Sequence, residues 1–223
     1  MTVRVVAIDG PAASGKSSTA AAVARRLGFL HVDSGALYRG LTQVALDLGR
    51  PFDAGSILAS AERRGLAYRV ADGAVTAWLD DQPAEPRIRA EEVTAAVSEV
   101  SAIPEVRDWV NRRLRALATP ERVLVLDGRD IGTAVFPDAV LKVFLVAAPE
   151  VRAERRLRQR GDEVEPDRLQ AEADRIAARD AADSTRAVAP LVAAPDAVRI
   201  DTSALDFTAQ VDRIVALARA AGL

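Results

Sequence analysis

Eight residues near the start of the chain form a pattern that can hold a nucleoside triphosphate. Residues 10–17 read GPAASGKS and match the phosphate-loop pattern G-x-x-x-x-G-K-[S/T]. In such a loop, glycines let backbone N–H groups turn inward around phosphate oxygens, and the N-terminus of the next helix adds positive potential. The predicted triphosphate-binding residues are Gly10, Pro11, Ala12, Ala13, Ser14, Gly15, Lys16, Ser17 and Ser18.

The choice of lysine supports this interpretation. Of the 30 basic residues, 28 are arginine, and only Lys16 and Lys142 are lysine. The interior of a phosphate loop accommodates a slender stem with a point charge better than a broad guanidinium fork. Lys16 is therefore expected to contact the β- and γ-phosphates, and the hydroxyl of Ser17 is expected to ligate Mg²⁺.

Three further segments must supply whatever accepts or senses the phosphate, because a phosphate loop alone does not separate kinases from switches, motors or pumps. A guanine-nucleotide switch ordinarily carries Asn-Lys-x-Asp, but the only asparagine, Asn111, is followed by arginine. Small, hydroxyl, acidic and arginine residues combine at 31–40, 127–133 and 179–190. The second segment follows an apolar strand, where ligand crevices form in α/β sheets.

The elements that position these segments follow from hydrophobic patterning. A β-branched apolar run at 3–8 predicts a buried strand, and apolar residues at helical spacing predict a helix over 16–27 that ends at Gly28. Further strands are predicted at 123–126, 141–146 and 197–200, whereas a strand near 29–32 is too short to predict from pattern alone. Strands that alternate with helices predict an α/β fold with a parallel sheet.

A different pattern occupies the middle of the chain. Residues 66–70 and 75–79 alternate in polarity and flank Asp72-Gly73, which is typical of a β-hairpin. A hairpin does not fit inside a parallel sheet, so we expect a small inserted subdomain carried by helices over 35–64 and 91–118.

Composition excludes several classes of function. The chain has 223 residues, 49% of them hydrophobic, with a net charge of -2, no cysteine and one histidine. The absence of cysteine excludes disulfides, thiolate metal sites and cysteine nucleophiles. The net charge gives the protein no overall positive field of the kind that drives binding to nucleic-acid polymers or membranes. We expect a soluble, cytoplasmic protein.

The four motifs together resemble the bacterial-type cytidylate (CMP) kinases of the nucleoside monophosphate kinase family. They read IDGPAASGKSST, VDSGALYRG, DGRDIGTAVFPDA and RDAADSTRAVAPL, and the resemblance covers essentially the whole chain. It implies the P-loop NTPase fold, with a five-stranded parallel sheet of the adenylate-kinase kind, an inserted monophosphate-binding subdomain containing the hairpin, and a short lid. The implied division is a core of 1–34, 104–149 and 187–223, an insertion of 35–103, and a lid with flanking helices of 150–186.

The resemblance also implies residues for the acceptor nucleotide. Ser98, Arg107 and Asp130 would meet the edge of cytosine, and Arg179 with Asp183 would hold the ribose. The clamp on the acceptor phosphate would be formed by Arg39, Arg129 and Arg186, with Ser34 and Tyr38 nearby. Ala182 departs from the family pattern, in which a further charged residue is common.

The lid and the metal complete the implied site. In the segment 150–160, Arg155 and Arg158 share one helix side and Arg156 and Arg160 another, and one side is expected to meet phosphates. The expected catalytic residues are Lys16, Arg129, Arg155, Arg158 and Arg186. Asp127 is expected to hold a water of the Mg²⁺ shell, and His31 to lie at a strand end without a catalytic role.

The implied reaction is transfer of the γ-phosphoryl group of ATP·Mg²⁺ to CMP or dCMP by a monomeric enzyme. Two alternatives stay open from the residues. One is a kinase for another monophosphate, chiefly UMP, and the other is a non-catalytic nucleotide-binding regulator. The acceptor-side arginines disfavour the regulator, which would need no clamp.

Overall fold

Two sheets and their flanking helices organise the chain in the computed structural model, which describes residues 4–71 and 74–223. The strands are β1 (Val5–Asp9), β2 (Leu30–Asp33), β3 (Ala67–Ala71), β4 (Ala74–Leu79), β5 (Gln82–Pro83), β6 (Leu124–Gly128), β7 (Leu141–Val146) and β8 (Val198–Asp201). The α-helices are α1 (Lys16–Leu27), α2 (Ser34–Leu48), α3 (Ala54–Arg63), α4 (Glu91–Ala102), α5 (Pro104–Ala116), α6 (Pro149–Arg160), α7 (Pro166–Thr185) and α8 (Phe207–Ala220). A 3₁₀ turn (Arg87–Arg89) and a π-type turn (Ile131–Val135) complete the described elements.

The larger sheet is parallel throughout, with strand order β2-β6-β1-β7-β8. The predicted five-stranded parallel sheet is therefore confirmed. Strand β1 lies at its centre and is fully buried. Because parallel strands all end at one edge, the loops after β1, β2 and β6 meet there and form a crevice.

Alternate residues of β1 point into two different hydrophobic cores. Val5 and Ala7 join the cluster built with α2 and α5, whereas Val6 and Ile8 join the cluster built with α1 and α8. This arrangement explains why the strand reads as a continuous apolar run rather than an alternating one.

The smaller sheet is antiparallel, with order β3-β4-β5, and lies within residues 35–103. Ala67 pairs with Trp78 and Val70 with Val75, so the predicted hairpin pairing is confirmed. Its predicted turn, Asp72-Gly73, lies outside the described residues. Tyr68 Oη donates to the carbonyl of Asp33 at 2.5 Å and so ties the small sheet to the end of β2.

The two long helices predicted around this sheet are each broken, so that prediction was wrong in detail. Helix α2 ends at Leu48, where Gly49 has a φ of 90°, and α3 begins only at Ala54. Helix α4 ends before Ile103, which precedes Pro104 at the first position of α5. Proline disfavours helical backbone in the residue before it, so apolar periodicity runs through both breaks while the backbone does not.

The strand predicted at 141–146 is confirmed to the residue, whereas the ends of β6 and β8 differ from the predicted ones by one or two residues, and the predicted start of β1 at residue 3 lies outside the described residues. Strand β6 continues past its last aliphatic residue, because Asp127 and Gly128 still pair with Ile8 and Asp9. No helix within the described ranges has an apolar stretch long enough to cross a membrane.

Candidate active site

A cleft of about 1420 Å³ opens at the carboxyl edge of the parallel sheet. The phosphate loop and the residues after β6 form its floor, helices α2 and α4 form one wall, and helices α6 and α7 form the other. Sequence segments that are far apart in the chain therefore face a single cavity. The charged side chains that line this cavity, and their contacts, indicate what it can bind.

The phosphate loop adopts a compact turn before α1. Gly10 has a φ of 151°, and a Cβ there would lie 2.2 Å from the carbonyl oxygen of Leu145, so only glycine fits. Inside the turn, Lys16 Nζ donates to the carbonyl of Pro11 at 2.5 Å. Burial lowers the pKa of Lys16 well below its usual value, and the charge of Arg129 lowers it further. An incoming phosphate would reverse this effect by neutralising the surrounding positive charge.

Ser17 and Asp127 meet beside the loop. The hydroxyl of Ser17 donates to one carboxylate oxygen of Asp127, and His31 Nε2 lies 2.7 Å from the other. A hydroxyl and a carboxylate side by side provide the hard oxygen ligands that Mg²⁺ prefers. The two residues therefore fit the cation that accompanies a nucleoside triphosphate.

Asp130 is the centre of a buried ionic cluster on the acceptor side. Arg107 donates to one of its oxygens, and Arg186 Nη2 lies 3.3 Å from the other. All three side chains are almost completely buried. The guanidinium of Arg107 lies 5.5 Å from the centre of the Tyr38 ring, whose buried hydroxyl has no hydrogen-bond partner among the described residues.

Asp183 forms a second acidic centre one helix turn before Arg186. Arg129 Nε donates to it at 2.9 Å, and Ser98 Oγ lies 3.5 Å away from its other oxygen. Ser98 thus contacts the residue expected at the ribose. Arg179 lines the same part of the cleft, where burial and the charge of Arg129 lower its pKa to about 10.

Arg39 and Ser34 project from the first turns of α2. Arg39 Nη1 donates to Thr94 Oγ1 at 2.9 Å, and burial with repulsion from Arg179 lowers its pKa to about 9. Ser34 Oγ donates to the carbonyl of Asp127 at 2.7 Å, so its hydroxyl ties α2 to the end of β6. Asp33 caps the helix by accepting from the N–H of Gly35. Burial, and after it the crowding of cations, lowers the pKa values of Arg39 and Arg179, and such a crowd of cations is suited to a phosphate.

The lid arginines separate differently from the predicted pairing. Arg156 and Arg160 line the cleft, and Arg155 lies at its edge, where it donates to the side chain and carbonyl of Thr202 at 2.9 and 2.6 Å. Arg158 is not among the lining residues; its side chain is 71% exposed and pairs with Glu154. In this conformation the structure brings Arg155, but not Arg158, to the cleft.

Other residues at the site were missed by the sequence analysis. Asp9 accepts from the N–H groups of Ile131 and Gly132 at 2.9 and 2.8 Å, and so holds the turn after Asp130. The signal was an acidic residue at the end of an apolar strand. Phe207 and Gln210 line the donor side of the cleft from α8, and no motif marked them.

A phosphate loop after the central strand of a parallel sheet, facing an arginine-lined basin across one cleft, defines a phosphoryl-transfer enzyme of the P-loop kinase class. A model of the protein family described as Cytidylate kinase matches residues 6–220. The chain belongs to the cytidylate kinase family, and membership of a kinase family implies that ATP is used.

Relatives with the same description are found in several genera. Cytidylate kinase of Streptococcus equi subsp. equi is 44% identical over 94% of this chain and 93% of its own length. Cytidylate kinase of Chromobacterium violaceum is 45% identical over 96% of this chain and 95% of its own. Among solved structures, shikimate kinase from Acinetobacter baumannii in complex with shikimate is 16% identical over 100% of this chain and 96% of its own, with a TM-score of 0.46.

Proposed function

We propose that the chain transfers the γ-phosphoryl group of ATP to an α-phosphate oxygen of CMP or dCMP, which yields ADP and CDP or dCDP. One observation carries this proposal. One cleft is lined both by the loop around Lys16 and by the arginines Arg39, Arg129 and Arg186, two groups of cations that each suit a phosphate. A non-catalytic nucleotide-binding protein would need the first group but not the second.

The donor nucleotide would bind along the phosphate loop, residues 10–18. Backbone N–H groups and the start of α1 would cradle its phosphates, and Lys16 would leave the Pro11 carbonyl for the β- and γ-phosphates. Arg155, at the cleft edge, and the lid residues Arg156 and Arg160 would complete the charge on the donor side.

The acceptor base would be read by Asp130, Arg107 and Ser98. Cytosine carries an exocyclic amine that donates to a carboxylate, beside acceptors that suit arginine and serine. Uracil presents a carbonyl instead of the amine and would be repelled by an ionised Asp130. Arg107 and Arg186 already form ion pairs with the carboxylate of Asp130.

The acceptor ribose and phosphate would bind next to the base. Asp183 with Arg179 would accept and donate at the ribose hydroxyls, so CMP and dCMP are expected to differ in affinity. Arg39, Arg129 and Arg186, with Ser34 and Tyr38 close by, would clamp the phosphate. Guanidinium forks bind phosphate oxygens in pairs and fix their direction.

Mg²⁺ is part of the proposal because Ser17 and Asp127 fit it. Ser17 would ligate the cation directly and Asp127 would hold it through water. The bound cation supplies neutralisation of charge on the transferring phosphoryl group.

The site residues would act by positioning the reacting phosphates rather than by transferring protons. The acceptor is already an ionised phosphate, so the reaction needs little help from a general base. Lys16 and the donor-side arginines would offset charge on ATP, while the acceptor clamp draws the attacking oxygen into line. Expulsion of water on closure would prevent wasteful hydrolysis of ATP.

The proposed division of the chain rests on the resemblance to the family. Residues 1–34, 104–149 and 187–223 would form the core, 35–103 the monophosphate-binding insertion, and 150–186 the lid with its flanking helices. The insertion would close over the acceptor CMP, and the lid would close over the donor ATP. We further propose a monomeric, cytoplasmic enzyme, supported by resemblance to the family.

The decisive experiment is to measure ADP release from ATP·Mg²⁺ with CMP, dCMP, UMP, AMP or GMP offered separately, with a control that lacks an acceptor. Strong preference for CMP and dCMP supports the proposal. Preference for another monophosphate keeps a kinase and overturns the assignment of the base contacts. Turnover that does not depend on an acceptor, or no turnover, overturns the proposed reaction.

A further inference from the structure

We propose that Asp180 and Arg152 position the phosphate loop through the backbone of Ala12, and that helix α7 thereby couples acceptor binding to donor binding. The proposal rests on the proposed function, since the acceptor is taken to be CMP at Asp183. Neither Asp180 nor Arg152 lines the cleft, so both act through other groups and are positioning residues.

The peptide groups of Ala12 are held from outside the loop. Asp180 Oδ1 accepts from the N–H of Ala12 at 2.8 Å, and Arg152 Nη1 donates to the carbonyl of Ala12 at 3.1 Å. The same arginine nitrogen donates to the other oxygen of Asp180. The ion pair between Asp180 and Arg152 therefore holds both the backbone N–H group and the backbone carbonyl group of Ala12.

The contact is buried rather than incidental. Ala12 is 6% exposed and Arg152 is 8% exposed. Ala12 also packs with Ala153 of α6 and Ile176 of α7 in a small hydrophobic cluster. Helices α6 and α7 thus reach the loop both by charge and by apolar packing, and a shift of either helix would be felt at Ala12.

These contacts to Ala12 lie next to a residue with strained backbone. Ala13 has a φ of 56°, in the left-handed region where a side chain is disfavoured. Such a conformation persists where the surroundings determine it strongly. Fixing both peptide groups of the preceding residue supplies that determination and keeps the next N–H groups turned toward the phosphates.

Helix α7 also reaches the acceptor side. Asp180 and Asp183 lie three residues apart, so they occupy neighbouring positions on one helix face. Asp183 accepts from Arg129 and approaches Ser98 of α4. A ribose bound at Asp183 would fix the helix that holds the phosphate loop, and by thermodynamic reciprocity a bound ATP would fix the acceptor site.

The test measures binding rather than turnover alone. The Kd of a non-hydrolysable ATP analogue with Mg²⁺ is determined by calorimetry with and without saturating CMP, and the ratio gives the coupling factor. Wild-type protein is expected to show a factor of about 5 or more, which is typical of coupled sites. Asp180→Leu is expected to lower the factor below about 2 and to raise the KM for ATP about 5- to 20-fold, while the Kd of CMP alone changes less than about twofold.

Matched variants separate this role from general stability. Asp180→Asn keeps an oxygen for the Ala12 N–H but loses the charge that pairs with Arg152, so an intermediate coupling factor is expected. Asp174→Leu removes an exposed carboxylate of the same helix, bonded to Gln170, and should behave as wild type. Urea unfolding of each variant verifies that it is folded.

Three results would overturn the proposal. The first is an unchanged coupling factor in folded Asp180→Leu or, should that variant not fold, in Asp180→Asn. The second is a loss of CMP affinity with coupling retained, because Asp180 would then only stabilise α7. The third is a wild-type factor of 1 in protein that does phosphorylate CMP, whereas wild-type protein that does not phosphorylate CMP overturns the proposed function itself.

Discussion

His31 Nε2 and Asp127 Oδ1 lie 2.7 Å apart, although 96 residues separate them in the chain. Their strands are neighbours in the parallel sheet, with His31 in register with Val125, so its side chain reaches the carboxylate two residues further along. The sequence analysis expected His31 at a strand end, but it lies inside β2. That His31 has no catalytic role stays a prediction. A role for His31 in orienting the carboxylate of Asp127 would refine that prediction.

Replacement of His31 is expected to weaken the use of Mg²⁺. In His31→Phe, Asp127 loses one partner that fixes its orientation toward Ser17, so the Mg²⁺ concentration for half-maximal rate should rise about 3- to 10-fold, in line with the modest worth of a partly exposed hydrogen bond to a charged group. His31→Gln retains an N–H donor and should lie closer to wild type. Mg²⁺ titrations at fixed ATP measure the effect, and identical curves for all three proteins would contradict it.

Arg186→Met is expected to damage the acceptor site selectively. Loss of one guanidinium from the phosphate clamp should lower kcat/KM for CMP about 100- to 1000-fold, as for other removed charge-stabilising donors, and raise the KM for CMP. The KM for ATP should stay within about twofold, because Arg186 contacts Ala189 and Asp130 rather than the phosphate loop. Steady-state kinetics with each substrate varied check this, with exposed Arg199→Met as the matched control. Unchanged turnover would remove Arg186 from the clamp.

Asp130→Asn is expected to lower the preference for CMP over UMP. An amide can donate to the uracil carbonyl that the carboxylate repels, and a good hydrogen-bonding pair gives about 1–3 kcal/mol of discrimination, so the ratio of kcat/KM values should fall about 10- to 100-fold. The variant should also unfold more easily, by about 3 kcal/mol, because Arg107 stays buried without a charged partner. Exposed Asp138→Asn is the control. An unchanged substrate ratio would show that Asp130 does not read the base.

Asp9 should make stability depend on pH. Burial raises its pKa from 3.8 to about 6, so between these values the native state keeps a proton that the unfolded chain has released. The unfolded state binds fewer protons in that window, so stability falls as the pH rises through it and is flat on either side. The gap corresponds to about 3 kcal/mol.

Asp9→Asn removes this titration. Urea unfolding at pH 4, 5, 6 and 7 should therefore show the free energy of unfolding of wild type falling by about 2 kcal/mol relative to the variant between pH 4 and pH 7. The N–H groups of Ile131 and Gly132 favour the ionised carboxylate, and the rise of the pKa to about 6 is the net result of burial and their opposing effect. A difference that does not vary with pH would contradict the expectation.

The parallel sheet and the phosphate loop were predictable because their signals are local. Short apolar runs predicted four strands of the large sheet, whereas β2 was too short to predict from its pattern alone, and the loop pattern marked the start of α1 at Lys16. The breaks in the long helices were less accessible. Glycine and proline stood at Gly49 and Pro104, but the uninterrupted apolar periodicity around them outweighed those signals.

The partners of the site residues could not be read from the sequence. Motifs nominated Asp130 and Asp183, yet which arginine pairs with which carboxylate depends on how α5 and α7 pack. The lid shows the same limit, since helical spacing paired Arg155 with Arg158 but only tertiary contacts decide which side of α6 faces the cleft. Asp180 was missed because its target is a backbone group, which has no sequence signature.

Both lysine side chains of the protein are buried. Lys142 is 9% exposed, lies with its stem against Gly132, and pairs with Asp196 at 2.8 Å, while Lys16 is 6% exposed inside the phosphate loop. Among the described residues, the fully exposed side-chain cations are therefore guanidinium groups, which acylating reagents do not modify. Both lysine ε-amines are largely shielded, so acetylation and amine-directed labelling of the lysines should be slower in the folded protein than in the unfolded chain.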